Sequence, residues 1–392
     1  MSWPLVKLSK VADINPRLPK DTDETQQVTF LPMAAVSESG KLIHQEKRIL
    51  KETRKGFTYF EKNDVIVAKI TPCFENGKAA LLSELDSQIG FGSTEFHVIR
   101  AIQGKLDSKY LFFLIWNKQF RQEGEKNMTG SAGQKRVPTD FLKNLVIPLP
   151  SIDEQKRIAV ILDKADTIRR KRQQAIQLAD DFLRSVFLDM FGDPFTNPKA
   201  WPECSFLDIC DLNPKSNKYD DDLDVSFVPM ASVSENNHVL DAKDIRQYSQ
   251  VKKGFTSFME NDVLFAKITP CMENGKAAIA SGLKNGIGFG STEFHVFRPK
   301  NIGYAPFIYS LLHLPIFRKV AADNFTGAVG HKRVPKDYFS DFNLVLPPEN
   351  LILKYKQIFE AVSNLNSKFV DNSSEEGNLF NSLSQKAFAV QL

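Results

Sequence analysis

Two stretches of this chain carry a helical apolar rhythm much longer than that of an ordinary globular helix. From Asp153 to about Phe191 there is no Pro or Gly, and apolar residues recur at Ile158, Leu162, Ala165, Ile168, Ile176, Ala179, Leu183, Val186 and Met190. The pattern predicts one helix of roughly 40 residues, near 60 Å long at about 1.5 Å per residue. Gly192-Asp193-Pro194 is a natural stop. The second stretch begins near Asn350 and shows Leu351, Tyr355, Ile358, Val362, Leu365 and Phe369 in alternating steps of four and three, which is heptad spacing. Apolar positions resume at Leu379, Leu383, Ala387 and Val390 after the polar run Asp371 to Gly377, where a break or loop is expected. Each helix has a single apolar seam that needs cover. The economical arrangement is antiparallel pairing, with Ile158, Leu162, Leu183 and Val186 on one seam and Tyr355, Ile358, Val362 and Leu365 on the other.

The remaining sequence has the opposite character and is written twice. Lys55 to Ala80 returns as Lys253 to Ala278 with 20 of 26 positions identical, Gly90 to Arg100 returns as Gly288 to Arg298, and Thr129 to Pro138 as Thr326 to Pro335. The entries match as well: Trp3-Pro4 with Trp201-Pro202, and Asn15-Pro16 with Asn213-Pro214. A period this long exceeds the ~20 to 50 residues of solenoid repeats, so each copy is a whole domain. Short β-branched or aromatic runs such as Val65 to Ile70 and Glu95 to Ile99 are bounded by Gly, Pro, Asn and Ser, which predicts a β-rich mixed domain. Helical spacing of Tyr110, Leu111, Leu114 and Ile115 adds a helix near Ser108 to Gln119. The organisation expected is a first domain over 1–150, a long helix over 151–192, a linker over 193–200, a second domain over 201–348 and a second long helix over 349–392. The class is mixed α+β with pseudo-two-fold symmetry.

Composition narrows the function only a little. With 42% hydrophobic and 25% charged residues, 392 residues can bury two ordinary cores. A net charge of +4 permits nucleic-acid binding without arguing for it. Cys73, Cys204, Cys210 and Cys271 form no CxxC pair, so they are expected to be reduced and structural, with no metal. No run reaches the ~18 to 20 apolar residues of a membrane span, and the start lacks a basic-then-apolar leader, so a cytoplasmic location is expected.

At this point the residues resemble a known family. Lys69-Ile-Thr-Pro-Cys73 with Glu75-Asn-Gly-Lys78, Gly92-Ser-Thr-Glu-Phe-His97, Thr129-Gly-Ser-Ala-Gly-Gln-Lys-Arg-Val-Pro138 and the spacer end Phe187-Leu-Asp-Met-Phe-Gly-Asp-Pro194 are similar to the specificity subunits of type I restriction-modification systems. The likeness covers essentially the whole chain. It implies two target-recognition domains, each reading half of a bipartite site in double-stranded DNA, with the helices setting the spacing and docking two methyltransferase subunits. It also implies translocating restriction subunits as partners. S-adenosylmethionine, ATP and Mg would belong to those partners, and this chain would hold no cofactor and no catalytic residue. Because the two domains are close copies, an interrupted near-palindrome is the expected target.

Three loops per copy are candidates for DNA contact. The first is a strand-to-turn segment with Lys69, Thr71, Asn76 and Lys78, repeated as Lys267, Thr269, Asn274 and Lys276: Lys suits phosphate or guanine, Asn adenine, Thr a base or backbone. Its bland alternative is a turn whose polar groups satisfy their own backbone. The second is Ser93, Thr94 and Glu95, with Ser291, Thr292 and Glu293. There Glu95 and His97 mimic an acid–base pair with nothing to activate, so cytosine readout or a structural hydrogen bond is favoured over catalysis. The third is the glycine-rich loop of Thr129, Gln134, Lys135 and Arg136, with Thr326, His331, Lys332 and Arg333, suited to phosphate and a base edge. The difference Gln134 against His331 is placed to tune half-site preference. Arg169 to Arg172 could face DNA, a partner subunit or solvent, a solvated face being the default for such a run.

Two motifs mislead. Asp13-Ile-Asn-Pro-Arg17 lacks the second proline and aromatic of an amino-methyltransferase motif, and Gly286-Ile-Gly-Phe-Gly290 has Gln88 in place of its first glycine in the other copy. A self-sufficient DNA methyltransferase or nuclease therefore lacks its motifs. A structural adaptor gripping two copies of a protein is the remaining rival.

Overall fold

The computed structural model describes residues 3–131, 133–235, 237–240, 243–327 and 332–388, without the side chains of 367–381 and 385–387. It divides into two units, residues 1–170 with 373–392, and residues 171–372.

In the first unit two four-stranded sheets carry the first copy of the repeated domain. One has the order Ala12–Ile14, Phe96–Ala101, Val65–Ala68, Ala79–Leu81, and is antiparallel throughout. The other runs Glu46–Ile49, Gln27–Leu31, Ile89–Gly92, Thr58–Glu61, with a parallel pair at its centre. Strand Val65–Ala68 is buried at all four positions, as a run of β-branched residues sandwiched on both faces should be. Of the glycines that imitate a cofactor loop, Gly288 and Gly290 belong to a strand: a Cβ on Gly288 would strike the Phe258 ring, as one on Gly90 would strike Phe60 in the other copy. The helix expected near Ser108 is two, Ser108–Trp116 and Lys118–Lys126. Asn117 divides them, its side chain accepting a hydrogen bond from the Phe120 amide at 2.8 Å to cap the second.

The second unit repeats this plan. Its sheets have the orders Cys210–Leu212, Phe294–Pro299, Val263–Ala266, Ala277–Ile279 and Asp244–Gln247, Asp224–Val228, Ile287–Gly290, Thr256–Met259. Helices Ala305–His313 and Pro315–Asp323 take the places of the first copy's pair.

Both long helices form, Ile152–Phe191 and Glu349–Phe388, each 40 residues. The second is unbroken across 371–377, contrary to the expected loop. One Gly costs only about 1 kcal/mol in a helix interior, and no Pro removes a hydrogen bond there. The seams also differ in part from expectation. Ile158 and Leu162 are buried in the first domain's core with Tyr110 and Leu111, and Leu383 packs on that core. Leu183, with Val186 packed beside it, joins the second domain's core, where Tyr355, Ile352 and Phe359 are buried and Ile358 and Val362 partly so. Each helix end thus covers one of the repeated domains. Within the second unit Tyr355 of the second helix packs on Phe187 and Phe191 of the first; within the first unit Leu383 and Phe388 pack on the core that holds Ile158 and Leu162. Leu365 lies off the seam, 60% exposed; Ile352 and Phe359 carry the burial instead. Within the cationic run, Arg169 and Arg170 are not free solvated charges. Both pair with buried Asp166 at 2.7 Å, one turn earlier.

Candidate nucleic-acid interface

Three loops converge at one end of each domain, held by backbone hydrogen bonds. The glycine-rich loop closes on itself as Thr129 and Arg136 exchange amide–carbonyl bonds of 3.0 and 2.8 Å. It is then clamped to the first loop, with the Thr71 amide donating to the Lys135 carbonyl at 3.0 Å and the Val137 amide to the Lys69 carbonyl at 2.8 Å. The Lys69 amide donates to the Glu95 carbonyl at 2.8 Å, which brings in the Ser93–Glu95 loop. The second copy repeats the clamp: Thr269 to Lys332 at 3.0 Å, Val334 to Lys267 at 2.9 Å, Lys267 to Glu293 at 2.9 Å. Gly130 and Gly327 adopt φ of 119° and 109°, where a side chain would be strained.

The sequence candidates separate into three groups. Lys69, Thr71, Ser93, Thr94, Glu95, Thr129, Gln134, Lys135 and Arg136 are brought together, as are Lys267, Thr269, Ser291, Thr292, Glu293, Thr326, Lys332 and Arg333. Of these Thr94, Thr129, Gln134, Lys135 and, in the other copy, Thr292, Thr326 and Lys332 are exposed. Asn76 and Lys78 turn away, the Asn76 amide donating to Glu38 Oε1 at 2.9 Å and Lys78 Nζ to the Met33 carbonyl at 3.3 Å. Asn274 and Lys276 do the same with Glu235 and Met230. His331 lies outside the described residues.

Glu95 and His97 do not meet as an acid–base pair. The Arg136 guanidinium donates to the Glu95 carboxylate through Nε at 3.0 Å and Nη2 at 2.8 Å, and holds its carboxyl below the usual carboxylate range. Arg333 binds Glu293 alike, at 2.8 and 2.7 Å, with the same effect. His97 is buried: its Nε2–H donates to the Val137 carbonyl at 2.8 Å and its Nδ1 accepts from Asn15 Nδ2 at 3.2 Å. Burial lowers its pKa, and pushes that of His295, held in the second copy's equivalent network by Asn213 and the Val334 carbonyl, down to about 4. These neutral rings are posts under the clamp.

Asn15 stood in the sequence as part of a misleading motif and of the matched domain entries, yet it organises the site. At φ 54° its Oδ1 accepts from the Val98 amide at 2.9 Å while its Nδ2 serves His97. Asn213 repeats this with Val296 and His295. The matching Asn15-Pro16 and Asn213-Pro214 entries were the signal that could have found it.

Chemically, each cluster offers amide-rich loops, one exposed lysine and an arginine already engaged by a carboxylate. That suits reading a polyanion at its base edges. Among the described residues no group of His, Cys, Asp and Glu could hold a metal ion, and no helix is long and apolar enough to cross a membrane.

Comparison with known proteins agrees on one family. The chain is 43% identical over 159 residues to the EcoAI specificity subunit of Escherichia coli and 42% over 163 residues to the EcoEI specificity subunit of the same organism, covering 40% and 41% of this chain. Each match takes in 27% of the relative, so the chain spans about a quarter of the length of these curated relatives. In fold it is similar to the type I restriction-modification S subunit of M. genitalium, with TM-score 0.57 at 15% identity over 99% of this chain and 96% of that one. A chain from a structure of type I R-M system assembly matches with TM-score 0.51 at 20% identity, over 100% and 98%. The family model for the type I restriction modification DNA specificity domain matches residues 2–178 and again 198–376, and the chain belongs to that family.

Proposed function

We propose that this chain is the non-catalytic specificity subunit of a type I restriction-modification complex, each domain reading half of a split site in double-stranded DNA. The observation that carries this is the duplicated three-loop cluster, with the same backbone clamp and Arg–Glu pair in two domains of a chain that is only mildly basic overall. Exposed Lys135 and Lys332 would take phosphates. Arg136, Arg333, Gln134 and the exposed threonines would reach base edges. Asn76, Lys78 and their copies act instead by holding the first loop in place. The domains are taken as 1–150 and 201–348, joined by the linker 193–200 and the helices of 151–192 and 349–392.

On this reading two methyltransferase subunits dock on the long helices and restriction subunits join them. S-adenosylmethionine, ATP and Mg are used by those partners, in the cytoplasm. Because the two clusters are near-identical, the half-sites are similar, and in inverted orientation they form an interrupted near-palindrome.

Single-molecule methylation sequencing of cells with the cognate methyltransferase, with and without this chain, tests the proposal. A methylated interrupted motif that vanishes with the chain is expected. Unrelated half-sites would sink the near-palindrome. Unchanged methylation beside an active methyltransferase would leave the adaptor reading.

A further inference from the structure

The sheet with the parallel centre carries a second repeated feature, and its arginine is kept in a strand whose sequence otherwise does not repeat. Strand Glu46–Ile49 reads EKRI and its counterpart Asp244–Gln247 reads DIRQ, so only the arginine is shared in place. The Arg48 guanidinium lies 3.4 Å from the Phe30 ring centroid, and that of Arg246 3.5 Å from Phe227. Against each inner ring a second phenylalanine stands edge-on, Phe57 at 4.8 Å and Phe255 at 4.9 Å. The inner rings are buried, whereas Phe57 and Phe255 are each 38% exposed.

A lone exposed phenylalanine needs no explanation. Here the same ring recurs on the same scaffold in both copies, and strand register fixes which edge it occupies. Thr58 pairs with Gly92 and Thr256 with Gly290, so Phe57 and Phe255 stand across from Ser93 and Ser291, where the second interface loop begins. Gly56 and Gly254, both at φ 81°, turn the chain just before the ring. The preceding residues, Lys55 and Lys253, are exposed, and neither forms an ion pair among the described residues. Their neighbours are already engaged, Arg54 by Glu24 and Lys252 by Asp221. Each tip therefore presents one apolar ring and one uncommitted cation, continuous with the three-loop cluster.

We infer that Phe57 with Lys55, and Phe255 with Lys253, form a further DNA-contact site in each domain. The ring packs on the apolar edge of the duplex, thymine methyl or sugar, while the lysine takes the adjacent phosphate. The inference rests on the reading of each domain as a DNA reader. The alternative is a ring that only shields the sheet edge.

The test uses the chain assembled with its methyltransferase subunits and a duplex bearing the motif mapped by methylation sequencing. Binding is measured over a salt series, and the unfolding midpoint is measured for every variant. Phe57→Ala is expected to weaken binding about 10-fold with the midpoint nearly unchanged, and Lys55→Ala to lower the salt slope by about one; Phe255→Ala and Lys253→Ala should behave alike. If Phe57→Ala unfolds the domain, Lys55→Ala decides, because its exposed side chain supports nothing in the fold. Wild-type affinity and salt slope in Lys55→Ala and Lys253→Ala overturn the inference, as does a binding loss in Phe57→Ala that only follows its midpoint. A wild-type complex that shows no sequence-dependent binding fails the DNA-reader reading itself, and this site with it.

Discussion

The two recognition domains agree on one side and differ on the other. The three-loop clusters share the same backbone clamp and the same Arg–Glu pair in both domains, whereas the short helix pair that each domain turns toward a long helix has been rebuilt. In the first domain Trp116 closes this face: its Nε1–H donates to the Gly77 carbonyl at 3.1 Å, it stacks on Phe112, and Arg169 lies over its ring at 5.8 Å. In the second, His313 stands in that place, stacked on Tyr309 at 5.3 Å, its Nε2–H donating to the Glu235 carbonyl at 3.0 Å, with Asp180 of the long helix 3.9 Å away. His238 fills in beside Tyr309 and Phe359 where the first copy has Gly40 under Phe112 and Trp116. Constraint on the cluster is tight because several loops must meet at fixed distances. A helix-packing face needs only the right volume and satisfied polar groups, and many side chains provide that.

Truncation at the rebuilt face gives the largest expected effect. Trp116→Ala should cost about 3–5 kcal/mol, through a cavity and the orphaned Gly77 carbonyl. Chemical denaturation followed by segment-resolved hydrogen exchange should place the loss in residues 1–170 with 373–392; loss of equal size in the other unit would refute the division.

Acid separates the copies next. His238 and His295 are pushed down to about 4 by burial, so the fold accommodates their neutral rings. Their contribution is complete above about pH 6.5, the ordinary imidazole value, and drains away as pH falls toward the folded value, by about 2 kcal/mol per ring at pH 5. Among the described residues of the first unit His97 is the one buried histidine, also lowered. Hydrogen exchange at pH 7 and pH 5 should show the second unit opening more. Equal loosening of both would count against it.

Within the shared cluster the copies should respond alike. Asn15→Ala and Asn213→Ala each orphan a strand amide and a histidine nitrogen, at about 1–3 kcal/mol for each group left unpaired. The two losses, read by denaturation of each variant, should agree; a marked difference would break the equivalence of the clusters. The smallest effect belongs to Gln134→His, an exposed loop change expected to move stability by less than about 0.5 kcal/mol. Its readout is methylation sequencing, where only the half-site read by the first domain should shift.

The long helices were legible because periodicity over many turns is a local signal, and the duplication because 20 of 26 positions repeat. What escaped the sequence is long-range. Asn15 and His97 lie 82 positions apart, and Glu95 and Arg136 lie 41 apart, so no spacing rule joins them. The turn holding Asn76 looked like a contact loop because its residue types serve both uses, and only the partner Glu38 distinguishes them. The polar run 371–377 suggested a loop since Asn, Ser and Gly favour ends, but propensity yields to the packing on either side. Leu365 satisfied the heptad and still faces outward, while Ile352 and Phe359 carry the burial.

The Glu95–Arg136 pair turns any use of that arginine into an exchange of partners. Nε and Nη2 are held by the carboxylate and Nη1 by the Gln134 carbonyl. A base edge wins the guanidinium only by offering acceptors at least as good as those it leaves. A mismatched base leaves the fork resting where it was, with no stranded cation to penalise the encounter. If the cluster reads DNA as proposed, sliding over unrelated sequence would cost this residue nothing, and discrimination would begin only when the swap is completed.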